Sequence, residues 1–220
     1  MVLLPGLVLS GWASWKTHAA FKKYSQVRAD RGLTGAQAAQ LMLDSAGIHD
    51  VRIVPTSGFL SDHYNPLNKT LALSESVYSS PSVAAVGVAC HEAGHAIQHA
   101  HNYAPMWLRS ALVPTANIGS SLGMIVVMAG FFLHLANLVW IGVILFSAVV
   151  LFQLVTLPVE FDASSRAKKL ALEYGIVSPR EHVGMNKVLD AAAMTYVAAA
   201  ISSILTLAYY VMLASGMRRD

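Results

Sequence analysis

The chain has 220 residues, of which 55% are hydrophobic and 12% charged, with a formal net charge of +3 and a mean hydropathy of +0.51. Soluble domains carry about 25% charged residues, so this composition excludes an ordinary soluble protein and indicates an integral membrane protein. The small positive charge requires no nucleic-acid partner, because basic segments beside anionic lipid account for it. The lone Cys90 excludes an intrachain disulfide and fits a reducing compartment.

Four apolar stretches are predicted to enter the membrane. The first, residues 2–15, is short and carries Trp12 and Trp15 at its end; without a basic leader or a small-residue cleavage site, it is predicted to be a span and not a signal peptide. Residues 116–135, 138–157 and 191–213 each supply about the 20 residues that a crossing needs. The two middle stretches predict an antiparallel hairpin that turns near His134 to Asn137.

The basic residues predict how these spans are oriented. Of the 15 Lys and Arg residues, eight lie between Lys16 and Arg109 and five between Arg166 and Lys187, so the positive-inside rule places both segments in the cytoplasm. Arg218 and Arg219 oppose this orientation weakly. We therefore expect a multi-pass protein of the plasma (inner) membrane, forming one unit over residues 1–220. Its parts are a first span at 2–15, a cytoplasmic part at 16–115, a two-span hairpin at 116–157, a second cytoplasmic part at 158–190 and a last span at 191–213.

The cytoplasmic parts predict a small α+β domain on a mainly α membrane protein. The basic stretch at 16–31 has helical spacing and is predicted to extend the first span along the membrane surface. Thr34 and Gln37 form a capping-box pattern for a helix that reaches Ala46 and stops at Gly47. Residues 51–54, 59–64 and 70–73 predict strands. An edge strand there is expected either to bind substrate backbone by strand addition or to serve as a structural hairpin.

The next segment has the pattern H-E-x-x-H, with His91, Glu92 and His95. Residues four apart share one face of a helix, so both imidazoles can reach one Zn²⁺ about 2.0–2.1 Å away. Glu92 is rotated away from the metal and is placed to take a proton from a water activated there, as a general base. Ser80 as N-cap and Pro81 as first residue predict where the helix begins.

Two later histidines are candidates for the third ligand. His99 lies about 12 Å along the helix from His91, so it cannot join the same ion while the helix continues. His101 completes the spacing of a metzincin site except that Gln98 replaces the glycine at which such chains turn. His101 therefore stays an alternative.

Two acids beyond the hairpin are the stronger candidates. Glu160 follows Pro158 and begins a helix-like segment that stops at Gly175. A tight hairpin returns the chain to the side on which it started, which brings Glu160 near the H-E-x-x-H helix, and a carboxylate at this depth is costly unless paired or metal-bound. Asp162 is interpreted as orienting a ligand histidine. The competing interpretation of both acids is that they complement a helix dipole.

These motifs resemble a known family. The sequence from His91 to His99 (HEAGHAIQH), the stretch SDHYNP at 61–66 and the segment LPVEFDAS at 157–164 are similar to the YugP-type membrane zinc metallopeptidases. More distantly, they resemble the HtpX and CAAX-prenyl membrane proteases, in which a transmembrane hairpin also separates H-E-x-x-H from a ligating Glu. In those relatives an Asp follows the Glu by four positions, whereas here that position is Ser164. The resemblance implies neutral metalloendopeptidase activity.

The predicted function is a membrane-embedded gluzincin. Zn²⁺ binds His91, His95 and Glu160, Glu92 acts as general base, and the partners are the lipid bilayer and a peptide or protein substrate. Tyr64 and His182 are candidate donors of a hydrogen bond to the oxyanion. Separately, Ser178 and Glu181 form a second capping-box pattern, which predicts the start of the last helix. Two alternatives stay open: a site-2-type intramembrane protease, and a non-enzymatic zinc transporter or membrane scaffold. The substrate and the oligomeric state cannot be inferred from the sequence.

Overall fold

A computed structural model of the chain describes residues 3–217. It is mainly helical, with a three-stranded sheet. The helices are α1 Leu4–Tyr24, α2 Gly35–Ser45, α3 Glu75–Tyr78, α4 Val83–Ala100, α5 Ala104–Phe132, α6 Ala136–Glu173 and α7 Pro179–Gly216. The strands are β1 Arg52–Thr56, β2 His63–Asn65 and β3 Thr70–Ser74. Val2, Arg218 and Arg219, which entered the predictions of span and orientation, lie outside the described residues.

Three of the described helices, α5, α6 and α7, are long and apolar enough to cross a membrane. The predicted spans 138–157 and 191–213 fall within α6 and α7, and 116–135 overlaps α5 as far as Phe132; the turn between α5 and α6 lies near the predicted position. The fourth predicted span lies in α1, which is not among the three. The uncharged part of α1, residues 4–15, rises only about 18 Å, so four spans stay a prediction.

The chain divides into two compact units, each built from separate segments. Among the described residues, the first comprises 3–13, 104–158 and 195–217. In it, α5 and α6 pack closely through glycines: a Cβ at Gly119 would lie 2.4 Å from the Leu145 carbonyl oxygen, and one at Gly142 would lie 2.5 Å from Val127. Small residues at such contacts let two helix backbones approach closely in lipid.

The second unit comprises residues 14–103 and 159–194. Its sheet has the order β1-β3-β2, with β1 parallel and β2 antiparallel to β3, so β2 is an edge strand. The apolar core lies among α2, α4, the sheet and the unit's parts of α6 and α7. Its largest fully buried apolar side chains include Met42, Leu43, Leu71, Leu73, Ile97, Ile176, Met185 and Leu189.

Local signals predicted several helix ends in this unit correctly. The Thr34 hydroxyl accepts a hydrogen bond from the Gln37 backbone N–H, and the Gln37 side chain accepts one from Thr34 N–H. Ser178 and Glu181 form the same reciprocal pair at the start of α7. Gly175 has a φ of +64°, which ends the helical run after Glu173.

Three local predictions were wrong in detail. The H-E-x-x-H helix is capped by Ser82, not Ser80, because residues 81–83 pair in extended form with 27–29 before the helix begins. β2 spans 63–65 and overlaps the predicted 59–64 only at 63 and 64, since Gly58 and Leu60 adopt positive φ. Glu160 does not begin a helix, because α6 continues through Pro158. Glu160 is therefore mid-helix, where the helix-dipole interpretation fails.

Gly94 allows α4 and α6 to approach closely beside the H-E-x-x-H residues. A Cβ there would lie 2.7 Å from the carbonyl oxygen of Ala163, which is rigid backbone. Elsewhere on α4, a Cβ at Gly87 would lie 3.2 Å from the flexible side chain of Met185. Any side chain at 94 must therefore force the two helices apart, whereas position 87 can adjust.

We expect Gly94→Ala to lower the free energy of unfolding by about 1–3 kcal/mol through overpacking. Gly87→Ala should be neutral or stabilising, because alanine gains up to about 1 kcal/mol of helix propensity over glycine. Thermal unfolding of the detergent-purified variants measures both. Equal loss of stability in the two variants would contradict the close contact at Gly94.

Candidate metal centre

The helix α4 carries the H-E-x-x-H residues on a largely buried stretch. Its N-terminus is stabilised by Ser82, whose hydroxyl accepts a hydrogen bond from the Ala85 N–H. His91 and His95 lie one turn apart, with ring centroids 4.8 Å apart and ring planes at 80°. The helix continues unbroken to Ala100, so the two imidazoles keep the i, i+4 spacing that points them to one place.

Glu160 of α6 lies against both imidazoles. Its Oε2 atom is 3.2 Å from His91 Nε2 and 3.5 Å from His95 Nε2, and its side chain is only 2% exposed. Four-coordinate zinc with bonds of about 2.0–2.2 Å separates neighbouring ligand atoms by about 3.3–3.6 Å. The distances from Glu160 to the two imidazoles therefore match the edges of a zinc coordination tetrahedron, and the donor set fits the metal.

Within residues 3–217, His91, His95 and Glu160 are the one group of three ligand-type side chains whose ligand atoms all lie within 4.8 Å of one another. All three belong to the second unit. The structure thus brings together the three residues that the sequence predicted as ligands.

Gln98 forms a hydrogen bond with Nδ1 of His95, whose other ring nitrogen faces Glu160. Gln98 Oε1 accepts this hydrogen bond from His95 Nδ1 at 2.9 Å, and Gln98 Nε2 donates to the Val159 carbonyl and to Asp162 Oδ2, both at 2.8 Å. The reverse orientation of the amide would place its oxygen against two other oxygens. The proton of His95 is therefore assigned to Nδ1, which leaves Nε2 with a lone pair for a metal.

Asp162 is linked to His95 indirectly, because both residues form hydrogen bonds with Gln98. Its carboxylate accepts the Gln98 amide and the Arg166 guanidinium, whose Nε lies 2.6 Å away. His91 has a different partner, since the Ser164 hydroxyl lies 3.1 Å from its Nδ1. Ser164 stands where the distant relatives have Asp, and in this chain it contacts a candidate ligand directly.

Glu92 is buried beside the ligands, with 7% of its surface exposed. Burial raises the pKa of its carboxyl; the charges of His91 and His95 oppose the rise, and those of Glu160 and Asp62 add to it. Burial disfavours a charged His95, but the hydrogen bond and charge of Glu160 outweigh this effect and raise the pKa of His95. A metal entering the site must displace the proton that this pair holds.

Three other sequence candidates, Tyr64, His101 and His182, have hydrogen-bond partners outside the group of His91, His95 and Glu160. Tyr64, whose pKa burial raises to about 12, forms a hydrogen bond with His99, and its hydroxyl oxygen lies 2.8 Å from Nδ1. His101 caps α4, with its Nδ1 3.4 Å from Arg166. His182 Nε2 lies 3.1 Å from the Lys168 carbonyl oxygen. Burial raises the pKa of Cys90 to about 12, which keeps its thiol protonated.

Sequence reasoning missed the role of Gln98. It treated this residue only as an obstacle to a chain turn toward His101. The available signal was its position three residues after His95, which places both side chains on one helix face. The contact of Ser164 with His91 was also missed, because a metal-binding histidine is more commonly hydrogen-bonded by a carboxylate than by a serine.

Comparisons with known proteins identify the family of the chain. The family described as "Putative neutral zinc metallopeptidase" matches residues 1–215. The chain is 46% identical over 210 residues to the "Putative membrane protease YugP" of Bacillus subtilis (strain 168), covering 96% of this chain and 93% of that protein. No solved structure matches. The match along nearly its whole length shows that the chain belongs to the family described as putative neutral zinc metallopeptidases.

Proposed function

We propose that the protein is a membrane-embedded zinc metalloendopeptidase of the gluzincin type. His91, His95 and Glu160 hold the zinc ion, and Glu92 is the general base. The observation that carries the proposal is the position of the buried Glu160 carboxylate, 3.2 and 3.5 Å from the two Nε2 atoms. Zinc held there would supply Lewis-acid activation of a water and of the peptide carbonyl.

Glu92 handles the proton in this mechanism. It takes a proton from the attacking water and delivers it to the amine of the leaving fragment. The raised pKa of this buried carboxyl moves its basicity toward neutral pH, where a general base works best. The tautomer of His95 that Gln98 selects keeps its Nε2 available throughout.

Strand β2 is proposed to bind the substrate backbone. It is an edge strand, and Asp62, just before it, is close enough to influence the charge of Glu92. Tyr64 on β2 and Ala96 and His99 on α4 also line a cavity of about 600 Å³ that could receive a substrate side chain. A peptide added to β2 would pair through its main chain, which leaves sequence specificity to such cavities.

The membrane setting follows from α5, α6 and α7 together with the basic segments. We propose that the site faces the cytoplasm at the plasma (inner) membrane and acts in membrane-protein processing or quality control. A site-2-type protease would carry its H-E-x-x-H inside a span, whereas α4 is not among the membrane-length helices. A histidine relay for zinc transport is disfavoured because Tyr64 holds His99 and Arg166 lies beside His101.

Two substitutions separate metal binding from catalysis. We expect Glu92→Gln to keep stoichiometric zinc but abolish peptide cleavage, because the amide cannot accept the proton. Glu160→Ala should lose zinc, and His101→Ala should keep both zinc and activity. Zinc content by mass spectrometry and cleavage of fluorogenic peptides by the purified full chain measure these outcomes. Full activity in Glu92→Gln, or zinc lost from His101→Ala and retained in Glu160→Ala, would overturn the proposed site.

The contacts of Gln98 predict a compensating pair of substitutions. Gln98→Glu keeps an acceptor for His95 but places a carboxylate oxygen against the Val159 carbonyl and Asp162. We expect zinc affinity to fall about 10–100-fold, as is typical when a residue that forms a hydrogen bond with a metal ligand is lost. Asp162→Asn in the same chain provides an amide donor to the new carboxylate and should restore most of the affinity.

Chelator competition measures zinc affinity in the single and double variants. Gln26→Glu is the charge-matched control, because Gln26 is exposed and lies outside the site. Wild-type affinity in Gln98→Glu, or no recovery in the double variant, would show that Gln98 does not position His95.

A further inference from the structure

A groove between α1 and α7 lies apart from the metal centre. It has a volume of about 460 Å³, and its small apolar lining residues are Ala19, Ala20 and Ala191. The Thr17 hydroxyl donates to the Ala191 carbonyl at 2.9 Å, which fixes the two helices against each other beside the groove. We call this feature the α1–α7 groove. All of its lining residues belong to the second unit.

Cationic side chains surround the apolar lining of the groove. Lys16, Lys23 and Lys187 all line it and are exposed. Its one acidic lining residue, Asp190, forms an ion pair with Lys168. Helix α1 contains no Asp or Glu. The α1–α7 groove therefore combines a net positive charge with apolar lining residues.

The position of the groove along both helices indicates where it meets the bilayer. Helix α7 carries no charged residue between Asp190 and its end at Gly216, and it is long and apolar enough to cross a membrane. Helix α1 is likewise uncharged before Lys16. Trp15, 68% exposed at the groove, is the residue type that concentrates at the level of lipid headgroups. Both helices therefore change from charged to apolar sequence at the groove.

We propose that the α1–α7 groove is a binding site for one anionic phospholipid. The headgroup phosphate lies among Lys16, Lys23 and Lys187, and the start of an acyl chain lies along Ala19 and Ala191. A soluble phosphate would satisfy the lysines but would leave the apolar lining and Trp15 exposed to water. Charge complementarity and the apolar lining together select a lipid. The site is independent of the peptidase chemistry.

The test counts lipids bound to the purified full chain by native mass spectrometry. We expect phosphatidylglycerol to bind more tightly than phosphatidylcholine, and glycerol 3-phosphate at millimolar concentration not to displace it. Lys23→Gln with Lys187→Gln should lower the affinity for the first phosphatidylglycerol molecule about 25-fold, since each lysine near an anionic surface contributes about fivefold in affinity.

Lys22→Gln with Lys169→Gln removes the same charge from exposed lysines that do not line the groove, and should leave that binding unchanged. Equal weakening in both double variants would show that general charge, and not the groove, binds the lipid. Equal affinity of the wild-type chain for the two lipids, or displacement by glycerol 3-phosphate, would likewise overturn the proposal.

Discussion

The burial of the Glu160 carboxylate against two imidazoles is the constraint on which the rest of the candidate metal centre depends. A carboxylate that is 2% exposed is strongly destabilising unless a positive charge or a metal compensates it. Its Oε2 is within 3.5 Å of both His91 and His95. That arrangement requires two helices, far apart in sequence, to meet with almost no space between their backbones. Gly94 permits this approach, because any side chain there would collide with the Ala163 carbonyl.

Gln98 connects the two helices through a second, polar contact. It bonds His95 on its own helix and both Val159 and Asp162, which flank Glu160 on α6. This one amide thus sets the tautomer of one candidate ligand, His95, and the position of the segment that carries another, Glu160. Buried polar groups with every donor and acceptor used are rigid as well as stabilising, which suits a site that must hold three ligand atoms in fixed geometry.

Short-range sequence signals predicted much of the fold. The capping boxes at Thr34 and Ser178, the stop at Gly175, the α5–α6 turn and three of the four predicted spans depend on neighbouring residues or on long apolar runs. Helical spacing and the return of a hairpin also predicted that His91, His95 and Glu160 lie together. The predictions failed where contacts between residues far apart in the sequence determine the local structure. Residues 81–83 pair with 27–29 before α4 can begin, and α6 continues through Pro158 instead of restarting at Glu160. The contact of Ser164 with His91 likewise exists only once α4 and α6 meet.

The most direct test of the metal centre is zinc K-edge X-ray absorption on the purified, zinc-loaded full chain. We expect a four-coordinate ion with two imidazole nitrogens and two oxygen donors, one from Glu160 and one from solvent, at about 2.0–2.2 Å. A third imidazole in the coordination shell would exclude Glu160 as the third ligand, because a further histidine would then complete the site. A sulfur donor at about 2.3 Å would contradict the proposed ligand set as well.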